Sequence, residues 1–322
     1  MTRAFVLHSD SPDEQNAGDQ ASRLRELVGS LDQGGQNPSD QGDLARHTAP
    51  ERRIPVIAIA SGKGGVGKTT TSVNLSIALS AHNRRTVLMD ADIGLANADV
   101  LCGLMPKNRL EAAASQEGFT LEDLAIDAPG GFRLIPGSVG IGRVDELNDQ
   151  ERSTLLASLR TMHRHNDVVL IDTSAGLGPS VTEFVAAADL GLVVVTPEPT
   201  SIADAYALIK VLVSGDSGQR PPVLSLIINQ VANEREAEQV HDRIAGVCDR
   251  FLGYQIPMLG SIRRDKKVLA AVRSRVPYMI DAPKSSAGKD MARLATTLID
   301  WAGIEGRAAA STGRRGWFSR RH

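Results

Sequence analysis

Cysteine is almost missing from this 322-residue chain, which carries only Cys102 and Cys248, far apart. That scarcity excludes a disulfide scaffold and any C-x-x-C metal or redox site, and it makes a reducing cytosol the expected compartment. Aromatic residues are only 3% of the chain, so its interior must be built from aliphatic side chains. A net charge of −2 supplies no global field to gather nucleic acid. No apolar run approaches the roughly 20 residues of a membrane-spanning helix. The opening MTRAFVLHSDSPDE has too short an apolar stretch, and turns acidic too soon, to be expected as a secretory signal. What is present, 42% hydrophobic and 23% charged residues, is the balance of a soluble globular protein.

Residues 1–52 are polar, with many Asp, Gln, Gly and Ser, a composition that predicts a disordered tail. Within it, DQASRLRELVGS (Asp19 to Ser30) sets Ala21, Leu24 and Val28 at i, i+3, i+7 with Leu27 alongside, which predicts a short amphipathic helix near 19–29. Alone in water a helix of that length is marginal, and it gains order by laying its apolar face in a groove. Over residues 53–305, apolar runs alternate with helical patterns. That alternation predicts one α/β domain, doubly wound, with a mostly parallel sheet and helices on both faces. Near its end Met291, Leu294, Leu298 and Trp301 share one helical face, expected to pack on the core. Residues 306–322 form a basic aromatic tail in which Trp317 and Phe318 stand among Arg314, Arg315, Arg320 and Arg321. Such a tail suits contact with an anionic membrane surface.

SGKGGVGKTT, Ser61 to Thr70, satisfies G-x-x-x-x-G-K-[ST] through Gly62, Gly67, Lys68 and Thr69. In that pattern backbone amides converge on phosphate oxygens, the lysine bonds the β- and γ-phosphates, and the hydroxyl ligates Mg²⁺. Glycines at 62, 64, 65 and 67 permit positive φ and leave no Cβ between backbone and ligand. The apolar PVIAIA before the loop reads as a buried strand. The pattern after it, with Val73, Leu75, Ile77 and Leu79, reads as a helix, so phosphate would sit at a helix N-terminus. Val66 and Thr70 complete the set of loop residues expected to touch nucleotide.

Two further strands end in carboxylates. TVLM (Thr86 to Met89) runs into Asp90-Ala91-Asp92, at the carboxyl edge where open α/β sheets bind ligands. An aspartate there is also a common helix cap, a reading that stays open for Asp90. DVVLI (Asp167 to Ile171) runs into Asp172 and then Gly176. Apolar strand, aspartate, glycine is the Walker B arrangement, in which the carboxylate holds Mg²⁺. A fourth strand, Leu190 to Thr196, leads to PEPTS and a helix from about Ile202 that Thr200 or Ser201 would cap. A fifth, Val223 to Ile228, ends at Asn229. Between 253 and 277, Arg263, Arg264, Lys266, Lys267, Arg273 and Arg275 face Asp265 alone. Without interleaved aromatics the cluster reads as a solvated helix face, and DNA is the weaker partner.

KGGVGKT resembles the deviant phosphate loop of the MinD/ParA class of P-loop ATPases, in which the early lysine crosses a two-fold dimer interface to the partner's nucleotide. Lys63 is the matching position. The resemblance implies an ATP-dependent homodimer, with Asp92 orienting the attacking water, Asp90 near the metal and Asn229 reading the adenine edge. It also places Pro257 to Asp265 beside the base. The NQVA that follows the fifth strand lacks the guanine signature N-K-x-D, so ATP is the expected nucleotide. Nitrogenase-like reductases, iron–sulfur scaffold ATPases and bacterial tyrosine autokinases are excluded by the cysteine and tyrosine positions. DADIGLAN, TPEPTSIADAYALIK and DQASRLREL are similar to the flagellar number regulators called FlhG or FleN (also YlxH). That resemblance implies that Asp19, Gln20, Leu24 and Arg25 bind and stimulate an FlhF-type GTPase related to the signal-recognition particle, with Gln20 completing the partner's GTPase site. Flagellar basal-body or regulatory proteins are further partners to expect. A ParA-type DNA-partition ATPase and a MinD-type division-site regulator are the alternatives, tested through the 263–275 cluster and the C-terminal tail respectively.

Overall fold

A computed structural model describes residues 54–92, 97–106, 121–137, 165–214 and 221–304. The N-terminal helix near 19–29 and the 306–322 tail lie outside the described residues. The strands are β1 (Val56–Ser61), β2 (Thr86–Ala91), β3 (Ile126–Asp127), β4 (Arg133–Ile135), β5 (Val168–Ala175), β6 (Leu190–Val195), β7 (Leu224–Val231) and β8 (Met258–Arg263). The helices are α1 (Lys68–Ala81), α2 (Ala98–Leu101), α3 (Leu121–Leu124), α4 (Pro179–Ala187), α5 (Pro199–Val213), α6 (Glu234–Leu252), α7 (Lys266–Ser274), α8 (Tyr278–Asp281) and α9 (Ser286–Ala302).

One eight-stranded sheet runs β3-β4-β2-β5-β1-β6-β7-β8. All its pairings are parallel except β3 with β4. β1, β2 and β6 are buried along their whole length, as a sheet covered on both faces demands. Alternation along β1 divides the core. Ile57 and Ile59 join Val73, Leu75 and Leu79 of α1 and Met291, Leu294 and Leu298 of α9 on one face. Ala58 and Ala60 join Val181 of α4, Leu208 of α5 and Val240 of α6 on the other. The shared face of α9 thus packs on the core as expected, except that Trp301 at its end is 49% exposed.

α1 lies inside the molecule, so its polar side chains need internal partners. Ser76 donates to the carbonyl of Ser72 at 2.8 Å, and Asn74 donates to that of Thr70 at 2.7 Å. Three local expectations are corrected. β2, β5 and β7 run past their expected ends, because the neighbouring ladders continue through Asp90↔Asp172 and Asn229↔Ile262. The three candidate residues Asp90, Asp172 and Asn229 are therefore inside strands rather than just beyond them. α5 starts at Pro199 with Glu198 at its N-cap and no side-chain cap. Ser201 instead accepts from the Thr196 N–H at 3.0 Å. The short β3–β4 pair carried no visible strand signal.

Candidate nucleotide site

The 61–70 loop joins β1 to α1, and two of its glycines carry strain that only glycine tolerates well: Gly65 at φ 81° and Gly67 at φ 89°. Gly62 is demanded by packing, since a Cβ there would stand 2.2 Å from the Asp204 carbonyl oxygen of α5. Gly64 has neither constraint, so the freedom to take positive φ is used at Gly65 and Gly67. α1 begins with Gly67 as N-cap, no side-chain cap and no acidic residue in its first turn. Nothing on the helix itself competes with an anion for those amides.

A cavity of about 890 Å³ opens over the loop, lined in part by Lys63, Gly67, Lys68, Thr69, Asp92 and Ser174. Lys68 donates to Asp172 Oδ1 at 2.9 Å, and the Ser72 hydroxyl donates to the same oxygen at 2.7 Å. Both members of this pair are buried, Lys68 at 6% and Asp172 at 0% exposure. Ser72 was not legible as a site residue, although its place one turn beyond Lys68 puts both on one helix face. Asp172 Oδ2 is buried and has no hydrogen-bond partner among the described residues. A free carboxylate oxygen with the Thr69 hydroxyl on the cavity wall is a hard-oxygen donor set that fits Mg²⁺.

Asp90 is engaged differently. Its Oδ2 accepts from the Asn97 and Ala98 amides at 3.0 Å each, and its Oδ1 from the Asp92 amide at 3.1 Å. These bonds tie the start of α2 to the end of β2, which is the capping alternative. Burial foremost, and then the negative charge of Asp172, raise the Asp90 carboxyl to about 7. Asp92 is half-buried on the cavity wall. Burial pushes its pKa up, opposed by Lys68.

Lys63 reaches back over its own protomer, donating to Glu198 at 2.9 Å and to the Thr200 hydroxyl at 3.1 Å. Asn229 is 9% exposed, and its amide makes two hydrogen bonds. Nδ2 donates to the Val66 carbonyl at 2.8 Å, and Oδ1 accepts from the Gln230 amide at 2.9 Å. Asn229 therefore pins the phosphate loop, and a second cavity of about 500 Å³ beside it is lined by Asn229, Gln230, Arg263, Arg264, Asp265 and Tyr278 among others. Of the basic cluster, Arg263 is held by Asp290 at 2.7 and 2.8 Å, while Arg264, Lys266, Lys267, Arg273 and Arg275 are exposed. No helix of the described residues is long and apolar enough to cross a membrane. Asp19, Gln20, Leu24 and Arg25 lie outside the described residues.

A family model described as CobQ/CobB/MinD/ParA nucleotide binding domain matches residues 57–278. The antiactivator FleN of Pseudomonas aeruginosa is 39% identical over 248 residues, covering 77% of this chain and 87% of its own. The flagellum site-determining protein YlxH of Helicobacter pylori is 30% identical over 281 residues, covering 87% and 90%. Among solved structures, MinD of Aquifex aeolicus superposes with a TM-score of 0.60 at 25% identity, covering 77% of this chain and 97% of its own. The septum site-determining protein MinD of Pyrococcus horikoshii, solved with Mg-ADP, gives 0.61 at 23% identity, covering 78% and 98%.

Proposed function

The chain belongs to the MinD/ParA family of nucleotide-binding proteins, in its FleN/YlxH branch, and on that footing we propose a regulatory ATPase switch that sets the number or placement of bacterial flagella. Its reaction is ATP hydrolysis to ADP and phosphate. The observation that carries the reading is the buried Lys68–Asp172 pair beneath the 61–70 loop at the N-terminus of α1. Both partners are groups that a Mg²⁺-bound triphosphate would claim.

On nucleotide binding the Lys68 ammonium transfers from Asp172 to the β- and γ-phosphate oxygens. Thr69 and Asp172 would hold Mg²⁺, which would neutralise charge on the phosphate oxygens. Asp92 orients the attacking water from the cavity wall. Lys63 leaves Glu198 and Thr200 to reach the nucleotide of a second copy, so the ATP-bound state is a homodimer and hydrolysis returns it to monomers. Asp19, Gln20, Leu24 and Arg25 of the N-terminal segment stimulate an FlhF-type GTPase, the Gln20 amide orienting water in the partner's site. The chain works in the cytoplasm, with the 306–322 tail as a peripheral contact to the inner face of the membrane and flagellar basal-body or regulatory proteins as further partners.

The test is the GTPase rate of a purified FlhF-type protein with a peptide spanning residues 10–32 against its Gln20→Ala counterpart. Stimulation lost on substitution supports flagellar control; no stimulation by either overturns that part. Asp92→Ala should trap an ATP-bound dimer on size exclusion, and a chain that stayed monomeric with ATP would sink the switch.

A further inference from the structure

Ser72 is wholly buried in the second turn of α1, where helix propensity and burial both favour alanine. A hydroxyl kept in such a place needs a partner. Two other buried polar side chains of this helix find theirs on the backbone. Ser76 donates to the Ser72 carbonyl, and Asn74 donates to the Thr70 carbonyl and accepts from the Met279 amide. Ser72 is different. Its one proton has two acceptors in reach, the Lys68 carbonyl at 3.0 Å and Asp172 Oδ1 at 2.7 Å. The shorter contact takes it, since a carboxylate accepts the stronger bond.

That bond falls on the oxygen that Lys68 also grips. Asp172 Oδ1 receives the Lys68 ammonium at 2.9 Å as well as the Ser72 hydroxyl, while Oδ2 accepts nothing among the described residues. When Lys68 moves to phosphate, one of the two donors is gone. The neighbours do not replace it. Asp90, opposite Asp172 in the β2–β5 ladder, is itself an acceptor, taking the Asp92, Asn97 and Ala98 amides. The Thr173 hydroxyl has the Ile59 and Ser174 carbonyls in reach. Among the described residues Ser72 is the donor that stays. The last torsion of a carboxylate side chain is broad, so one fixed bond on Oδ1 decides which oxygen is left for a cation.

We propose that Ser72 is a positioning residue for the magnesium site: it holds Asp172 Oδ1 once Lys68 has left for the triphosphate, so that Oδ2 remains the oxygen available to the cation or to one of its waters. This rests on the MgATP reading above. Ser72 acts through Asp172 alone and touches neither nucleotide nor metal. The carboxylate thereby keeps one orientation whether or not the ammonium is beside it.

The test measures ATP binding to the full chain by calorimetry, in EDTA and across a Mg²⁺ titration, for wild type, Ser72→Ala and Ser72→Thr. Alanine suits a buried helix position, so that variant removes the hydroxyl with little strain. Ser72→Ala should need about tenfold more Mg²⁺ to reach the same tightening of ATP binding, the loss expected when a bond behind a metal ligand is removed. Its ATP affinity in EDTA should match wild type. Ser72→Thr keeps the donor and should restore the wild-type response to Mg²⁺. An unchanged Mg²⁺ requirement in Ser72→Ala would overturn the assignment, as would an equal loss of ATP affinity with and without Mg²⁺, which marks general damage to the loop. Wild type whose ATP binding ignores Mg²⁺ would instead overturn the metal reading beneath it.

Discussion

The Lys63 ammonium lies 2.9 Å from the Glu198 carboxylate, so the residue expected to reach across to a second copy is held by its own protomer. The pair is solvent-accessible, with 31% and 65% of the side chains exposed. Exposed pairs contribute about 0–1 kcal/mol, too little to hold a lysine against a triphosphate. Glu198→Ala should therefore shift ATP-dependent dimerisation to lower ATP by at most about fivefold. Lys63→Ala should abolish it while nucleotide still binds. Light scattering across an ATP titration separates the two, and a Lys63→Ala chain that dimerised normally would remove the role given to that lysine.

The Lys68–Asp172 pair is buried, and the same arithmetic turns around. Asp172→Ala leaves an ammonium at 6% exposure without its counter-charge, an error that costs about 3–5 kcal/mol. The variant should melt well below wild type and bind ATP without a response to Mg²⁺. Calorimetry of the nucleotide-free and Mg-ATP forms checks both. A melting temperature equal to wild type would mean that solvent reaches the pair.

Asp90 predicts a pH dependence of stability. Its carboxyl titrates near 4 in the unfolded chain and at about 7 when folded, so the unfolded state releases its proton first. The contribution of this group to stability is unpenalised below pH 4, falls as pH rises towards 7, and is flat above. Asp90→Asn lacks that penalty, so the variant should be more destabilised relative to wild type at pH 5 than at pH 8. Urea unfolding at the two pH values decides it, and an equal difference at both would show that Asp90 is charged throughout.

Asn229→Ala should act on the phosphate loop, removing the donor to the buried Val66 carbonyl and the acceptor of the Gln230 amide. Each group left unpaired costs about 1–3 kcal/mol. Affinity for inorganic tripolyphosphate should fall along with that for ATP. A loss confined to ATP would show that Asn229 acts on the base rather than on the loop.

What could be read along the chain was whatever chemistry is written locally. The phosphate loop is ten consecutive residues between an apolar run and a helical pattern, and its backbone conformation depends on glycines inside the motif. The Walker B strand is likewise a short run ending in Asp172. The layered α/β arrangement follows from alternating patterns that need no partner to be recognised. The bonds of Asp90, by contrast, stay within eight residues, yet its choice between cap and metal neighbour depends on the path of the chain through α2. The role of Asn229 depends on Val66, 163 residues away, and that of Ser72 on Asp172, 100 residues away.

By itself, then, the sequence determined the phosphate loop, the strand-borne carboxylates and the layered architecture, because each arises from residues within about one element's length. Only the tertiary structure decided which polar group serves which neighbour. A buried amide or carboxylate takes the partners that folding brings to it, and those partners can lie far away along the chain.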